Sequence, residues 1–191
     1  MDFKDFEEKT IDRREIYNGK IIKVALDRVE LPQNLGTSYR ELVFHPGAVA
    51  VVPITKDNKI ILVKQYRKAM EKVTLEIPAG KIEQDEKADL LSAIRREMEE
   101  EIQYKAEHFT KLTQVYTSPG FCDELVHIYL AKDLEKVENP RCLDDDEVIE
   151  IFELTLEEAK AKQEEGLICD AKTVMGLMYW ELELLKNGAL Q

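Results

Sequence analysis

Along the first half of the chain, apolar and polar residues alternate with a period of two, the pattern of half-buried β-strands. Residues 10–17 and 20–31 alternate around Asn18-Gly19, which predicts a hairpin. Residues 37–44 alternate again. Residues 48–54 and 60–65 are apolar strands separated by a turn at Lys56-Asp57-Asn58. A short strand over 74–77 stops at Pro78. The period then becomes helical, with Leu90, Leu91, Ile94, Met98 and Ile102 on one stripe. Strands follow near 111–116, 126–131 and 148–154. A helix over 156–165 ends at Gly166. The last helix runs from Asp170, its N-cap, to Lys186.

This order predicts a mixed sheet with a few helices packed on it, an α+β domain. The first three strands are richer in charge than the apolar pair after them. They read as a separate small sheet, exposed or in contact with another subunit. The expected division is an N-terminal β segment over 1–44 and a main domain over 45–191.

Composition narrows the function. Asp plus Glu number 39 against 27 Lys plus Arg, a net charge of −12. Nucleic-acid surfaces need a basic footprint, so such a partner is not expected. A small phosphorylated substrate is compatible, because bound cations invert the local field. No run is long and apolar enough to span a membrane, and the acidic N-terminus does not read as a signal peptide. A cytoplasmic protein without a membrane partner is expected. Cys122, Cys142 and Cys169 match neither a zinc site nor a redox pair, and read as reduced, mostly packing thiols.

The chemistry gathers where the first helix ends. Arg95, Arg96, Glu97, Glu99, Glu100 and Glu101 crowd its last turns. Carboxylates oppose the helix dipole there. Glu97 shares a face with Glu100 and Glu101, at like-charge spacings that cost roughly a few tenths of a kcal/mol per pair. Just upstream, Pro78-Ala79-Gly80 ends a strand, and Gly80 is expected in a tight turn with φ > 0. The polar loop after it can set backbone carbonyls beside the helix. Oxygen-only ligands favour Mg²⁺ or Mn²⁺ over zinc, and imply metal-assisted attack of water on a phosphoanhydride. A glutamate-rich turn alone is usually a solvated face. Strand, Pro-Ala-Gly, polar loop and Arg-Glu-x-x-Glu-Glu together argue for a site.

Residues 80–103 resemble the signature of the Nudix hydrolases, G-x5-E-x7-R-E-U-x-E-E-x-G-U, where U is bulky and apolar. The matches are Gly80, Glu86, Arg96, Glu97, Met98, Glu100 and Glu101. Nine residues separate Glu86 from Arg96 where the pattern has seven, so the pattern's first Glu, counted back from the helix, falls at Ala88. Gln103 replaces the last glycine. The resemblance implies an α/β/α sandwich, Mg²⁺ dependence and hydrolysis of a nucleoside diphosphate linked to another group.

Gln65-Tyr66-Arg67, residues 75–80, and Tyr116-Thr117-Ser118-Pro119-Gly120-Phe121 are similar to the ADP-ribose pyrophosphatases, as is Pro119 sixteen residues after Gln103. In that group the N-terminal segment helps to form a homodimer. The resemblance implies hydrolysis of ADP-ribose to AMP and ribose 5-phosphate. It implies Glu97, Glu100 and Glu101 as metal ligands, joined by the Ala79 carbonyl and Glu147, and Arg96 as their orienting cation. Arg67 is expected at the diphosphate or terminal ribose. Glu76 would bond the substrate or sit on the polar face of its strand. Ser118, Pro119, Phe121 and Glu124 are expected as substrate contacts. The general base would be Asp145 or Glu147, with Asp123-Glu124 as an alternative source. Phe3, Phe6, Tyr17 or Phe121 could stack on adenine. The rivals are a relative acting on other sugar nucleotides or flavin dinucleotides, and a non-catalytic module that binds ADP-ribose.

Overall fold

The computed structural model describes residues 3–143, 147–186 and 188. They form two compact units, residues 1–47 with 116–125, and residues 48–115 with 126–191.

In the first unit, β1 (Lys9–Asn18), β2 (Lys23–Glu30) and β3 (Thr37–Phe44) make an antiparallel sheet in the order β1-β2-β3. The predicted hairpin is present. Its second strand starts at Lys23, because Gly19 N–H donates to the Ile22 carbonyl at 3.0 Å and closes a four-residue loop. Ala25, Asp27 and Val29 of β2 are buried, whereas every side chain of β1 is exposed.

The second unit is built on β4 (Ala48–Pro53), β5 (Ile60–Arg67), β6 (Lys72–Glu76) and β7 (Ala79–Lys81), followed by α1 (Leu90–Glu97). Then come β8 (Tyr104–Lys105), β9 (Phe109–Tyr116), β10 (Leu125–Ala131), β11 (Glu135–Lys136), β12 (Glu150–Leu154), α2 (Leu156–Glu164) and α3 (Ala171–Lys186). One sheet has the order β7-β4-β10-β9, with β4 and β10 parallel and β4 and β7 antiparallel. A second, antiparallel sheet has the order β12-β5-β6. The pair β8 and β11 stands apart.

Strand alternation explains the layering. Ala48, Ala50 and Val52 of β4, with Ile60 and Leu62 of β5, pack in one cluster with Leu156, Ala159, Leu177 and Trp180 of α2 and α3. The intervening Val49, Val51, Ile61 and Val63 pack in another with Ala93, Ile94, Met98 and Ile102. Strands buried on both faces read as continuous apolar runs, as 48–54 and 60–63 do. The result is an α+β chain with the expected α/β/α sandwich and an N-terminal antiparallel sheet. No helix among the described residues is long and apolar enough to cross a membrane.

The predicted first helix is divided. Asp89 caps α1 by accepting from Leu91 N–H at 3.1 Å, and α1 runs to Glu97. Met98–Ile102 then form a π turn, closed by Gln103 in the left-handed region at φ 62°. Single π turns are frequent at functional sites, and this one contains Glu99, Glu100 and Glu101. At the last helix, Asp170 Oδ1 accepts from Thr173 N–H at 3.2 Å, as its N-cap reading predicts. Gly80 lies within β7 and not at a positive-φ turn, which corrects the expectation for it. Cys142 and Cys169 are exposed and Cys122 is half-buried, so packing does not explain the first two thiols.

Candidate active site

Gly80 is where strand and helix touch. A Cβ at this position would lie 1.7 Å from Glu97 Oε1 and 2.0 Å from its Cδ. Only a missing side chain admits the Glu97 carboxylate against β7, so close approach is the reason for glycine here. Next to it, Ala79 N–H donates to Glu101 Oε2 at 3.0 Å. The Pro-Ala-Gly segment thus holds two carboxylates of the helix end, using the Ala79 N–H on one of them.

Arg96 bonds four partners. It pairs bidentately with Glu86 at 2.8 and 3.0 Å. Its Nη1 donates to Glu97 at 2.6 Å and to Glu100 at 3.0 Å, and its Nη2 to the Lys81 carbonyl at 3.2 Å. One guanidinium therefore faces Glu86, Glu97 and Glu100, while Glu101 has the Ala79 N–H. Negative charge is in excess, and both Glu97 and Glu101 are buried.

Their proton affinities follow. Burial pushes Glu97 up to about 7, Arg96 opposes the rise, and the charges of Glu100 and Glu147 add to it. Burial and the Glu97 charge push Glu101 up to about 8, with the Ala79 N–H opposing and Glu147 again adding. Glu147 thus acts on both carboxylates. Among the described residues, no set of three His, Cys, Asp or Glu donors converges as a ready-made metal cage. The donor chemistry still fits a hard dication, because the ligand atoms are carboxylate oxygens and their charge is under-compensated where water is excluded.

Arg67 and Glu76 meet within the same unit. Arg67 Nε and Nη2 bond the two Glu76 oxygens at 2.8 and 2.6 Å. Thr74 hydroxyl donates to Oε1 at 2.6 Å, and Lys172 Nζ donates to Oε2. Glu76 is 1% exposed. Burial would raise its pKa, but the Arg67 and Lys172 cations hold it at about 2.

Ser118, Pro119, Phe121 and Glu124 belong to the first unit. The Ser118 carbonyl accepts from Phe121 and Cys122 N–H at 3.0 and 2.8 Å, so the segment is a turn, and Val43 N–H ties it to β3 through the Phe121 carbonyl at 2.7 Å. Glu124 accepts from Thr117 hydroxyl at 2.7 Å. Pro119 and Phe121 line a cavity of about 250 Å³ with Leu42, Phe44, Tyr116 and Asp123. Asp145 lies outside the described residues.

The profile of the NUDIX domain matches residues 44–173, more than half of the chain. The chain belongs to the Nudix family. Over 185 residues it is 50% identical to the Methanol dehydrogenase activator of Bacillus methanolicus, covering 96% of this chain and 98% of that protein. Over 180 residues it is 48% identical to the ADP-ribose pyrophosphatase of Bacillus subtilis, covering 94% and 96%. Among solved structures, one described as an ADP compounds hydrolase shares the fold, with a TM-score of 0.83, 21% identity, and coverage of 96% of this chain and 97% of that one. This is a Nudix hydrolase, and Nudix pyrophosphatases generally use divalent metal ions.

Within the Nudix frame the two departures from the signature resolve. Glu86 reaches Arg96 although two extra residues separate them, because residues 83–89 coil back: Glu86 N–H bonds the Glu83 carbonyl at 3.2 Å and Asp89 N–H the Glu86 carbonyl at 2.9 Å. Gln103 adopts the left-handed conformation that glycine adopts easily, and so preserves the helix exit. Sequence reasoning missed Lys172, whose only signal is a charged residue beside Asp170 at the start of an otherwise apolar helix.

The Gly80 contact is directly testable. Gly80→Ala should fold with a stability loss of about 1–2 kcal/mol, since the atom struck is the end of a side chain. Displacing Glu97 should lower hydrolytic turnover by about 10²-fold. Thermal melting and kcat measured on one preparation check both, and unchanged kcat would show that the placement of Glu97 under β7 is not needed.

Proposed function

We propose that this Nudix hydrolase cleaves the diphosphate of ADP-ribose to AMP and ribose 5-phosphate, as a homodimer in the cytoplasm. Mg²⁺, or Mn²⁺ in its place, is the cation. The observation that carries this reading is the buried Glu97 and Glu101 pair seated against Gly80 and Ala79, in a chain so similar to an ADP-ribose pyrophosphatase.

Glu97, Glu100, Glu101 and Glu147, with the Ala79 carbonyl, would hold the cation. Bound there, a divalent cation neutralises diphosphate charge and acidifies a coordinated water. Arg96, itself fixed by Glu86 and the Lys81 carbonyl, orients Glu97 and Glu100 and favours the ionised form of Glu97. Arg67, held by Glu76, meets the diphosphate or the terminal ribose, and Glu76 adds a substrate contact of its own where its oxygens permit. Asp145 or Glu147 takes the proton of the attacking water. Ser118, Pro119, Phe121 and Glu124 add substrate contacts. Self-association is supported by β1, where Ile11, Ile16 and Tyr17 are exposed. Nucleic acid and membrane have no part in this reading, consistent with the net charge of −12.

The test is AMP release from ADP-ribose with Mg²⁺ and with chelator, beside a panel of other nucleotide sugars and flavin dinucleotides. The expected result is metal-dependent AMP, fastest from ADP-ribose, from a species of dimer mass by light scattering. Faster release from another panel member would reassign the substrate. A bound but uncleaved ADP-ribose would indicate a binding module.

The likeness to the Methanol dehydrogenase activator supports a second reading, in which the chain stimulates a dehydrogenase. Purified methanol dehydrogenase assayed with and without this chain decides it. No rise in dehydrogenase rate would remove that reading.

A further inference from the structure

Lys172 is a charged side chain for which the proposed mechanism has no use. It lies in the first turn of α3, and its side chain is 14% exposed. A lysine this enclosed must be paired. Its Nζ donates to Glu76 Oε2 and, at 2.9 Å, to Asp170 Oδ1. The same Glu76 oxygen accepts from Arg67 Nη2 at 2.6 Å. One buried carboxylate thus serves two cations, and of these Arg67 is the more open to solvent, with 42% of its side chain exposed.

We propose that Lys172 is a positioning residue that sets the anion affinity of Arg67 through their shared carboxylate, Glu76. The inference rests on reading Arg67 as a contact to the substrate diphosphate. Held by Arg67 alone, Glu76 would neutralise that guanidinium through a bidentate pair. Lys172 draws on the same Oε2, so Arg67 keeps more of its charge for a substrate anion. Its Nε and Nη2 are fixed on Glu76, which leaves the Nη1 edge as the part not used on that carboxylate. Asp170 steadies Lys172 from the other side and is itself tied to α3 through Thr173 N–H at 3.2 Å. Thr74 hydroxyl holds the second Glu76 oxygen. The hydrogen bonds of Lys172 go to Glu76 and Asp170, and its charge also favours the ionised form of Glu101; because the bonded route leads to Arg67, its removal should change substrate affinity more than the chemical step.

The test is steady-state hydrolysis of ADP-ribose at saturating Mg²⁺. Lys172→Gln keeps a donor for Glu76 and deletes the charge; KM should rise about tenfold with kcat within about twofold. Lys172→Arg should restore KM. In an Arg67→Met background, Lys172→Gln should add nothing, because the route through Arg67 is gone. Asp170→Asn commits Lys172 more fully to Glu76 and should lower KM, the opposite sign, which keeps the proposal testable even if Lys172→Gln does not fold. An unchanged KM in Lys172→Gln, an equal effect in the Arg67→Met background, or a raised KM in Asp170→Asn would each overturn it. If the wild type releases no AMP, the functional reading has failed; an active wild type with unaltered KM in Lys172→Gln defeats only this inference.

Discussion

Glu101→Gln is expected to reduce metal-dependent hydrolysis by about 10²–10³-fold while raising the melting temperature of the metal-free protein. Glu101 is 5% exposed, and burial together with the Glu97 charge disfavours its ionised form. The amide oxygen of glutamine can still accept from Ala79 N–H, so the strand contact survives. What disappears is a carboxyl that ionises freely in the unfolded chain but is held protonated by burial in the fold, and its removal should stabilise the fold at neutral pH by about 1 kcal/mol, or about 2–4 °C in Tm. The two effects together distinguish a metal ligand from a structural carboxylate. Steady-state kinetics and scanning calorimetry in chelator measure them. Full activity in purified Glu101→Gln would remove this carboxylate from the mechanism.

Glu76→Ala should have the larger effect on stability, a loss of about 3–5 kcal/mol. The substitution leaves Arg67 and Lys172 facing each other around an emptied carboxylate, and Thr74 with only the long bond to the Gln65 carbonyl at 3.5 Å. It should also change the acid limb of the stability curve. Glu76 is held at about 2 against an ordinary value of 4.5. A depressed carboxyl contributes stability that is complete above 4.5 and is lost as pH falls through about 2. The wild type should therefore lose more stability than Glu76→Ala between neutral pH and pH 2. Denaturant melts at pH 7, 4 and 2 report both the offset and its convergence. Parallel curves at all three would show that this carboxylate is not the one titrating.

Much of this arrangement is legible in the sequence, for identifiable reasons. The runs 48–54 and 60–63 announce strands buried on both faces, because a sheet covered on each side accommodates successive apolar residues. Glu97 and Glu101 stand out because their charges contradict the local helix preference. Long-range placement is harder to read. Lys172 and Glu76 are far apart in the chain, and no local pattern pairs them. The coil that returns Glu86 to Arg96 is set by backbone hydrogen bonds within residues 83–89, which spacing rules cannot count. Residues 116–125 join the N-terminal unit through an isolated bridge between Val43 and Cys122, a contact with no periodicity to announce it. The π turn likewise hides inside an ordinary helical stripe, since Met98 and Ile102 are buried as an α-helix would bury them.

Strand β1 has a consequence for colloidal behaviour. It lies at the edge of its sheet, paired to β2 on one side, with all its side chains exposed. A long open edge carrying Ile11, Ile16 and Tyr17 is a template for strand addition by any unfolded chain, and hence a starting point for fibrils. The same strand carries Asp12, Arg13, Arg14 and Glu15 between Ile11 and Ile16. Charges interrupting a sticky edge act as gatekeepers, making indiscriminate stacking costly while leaving a partner of matching charge able to dock. The polar residues of β1 thus oppose indiscriminate stacking along this edge.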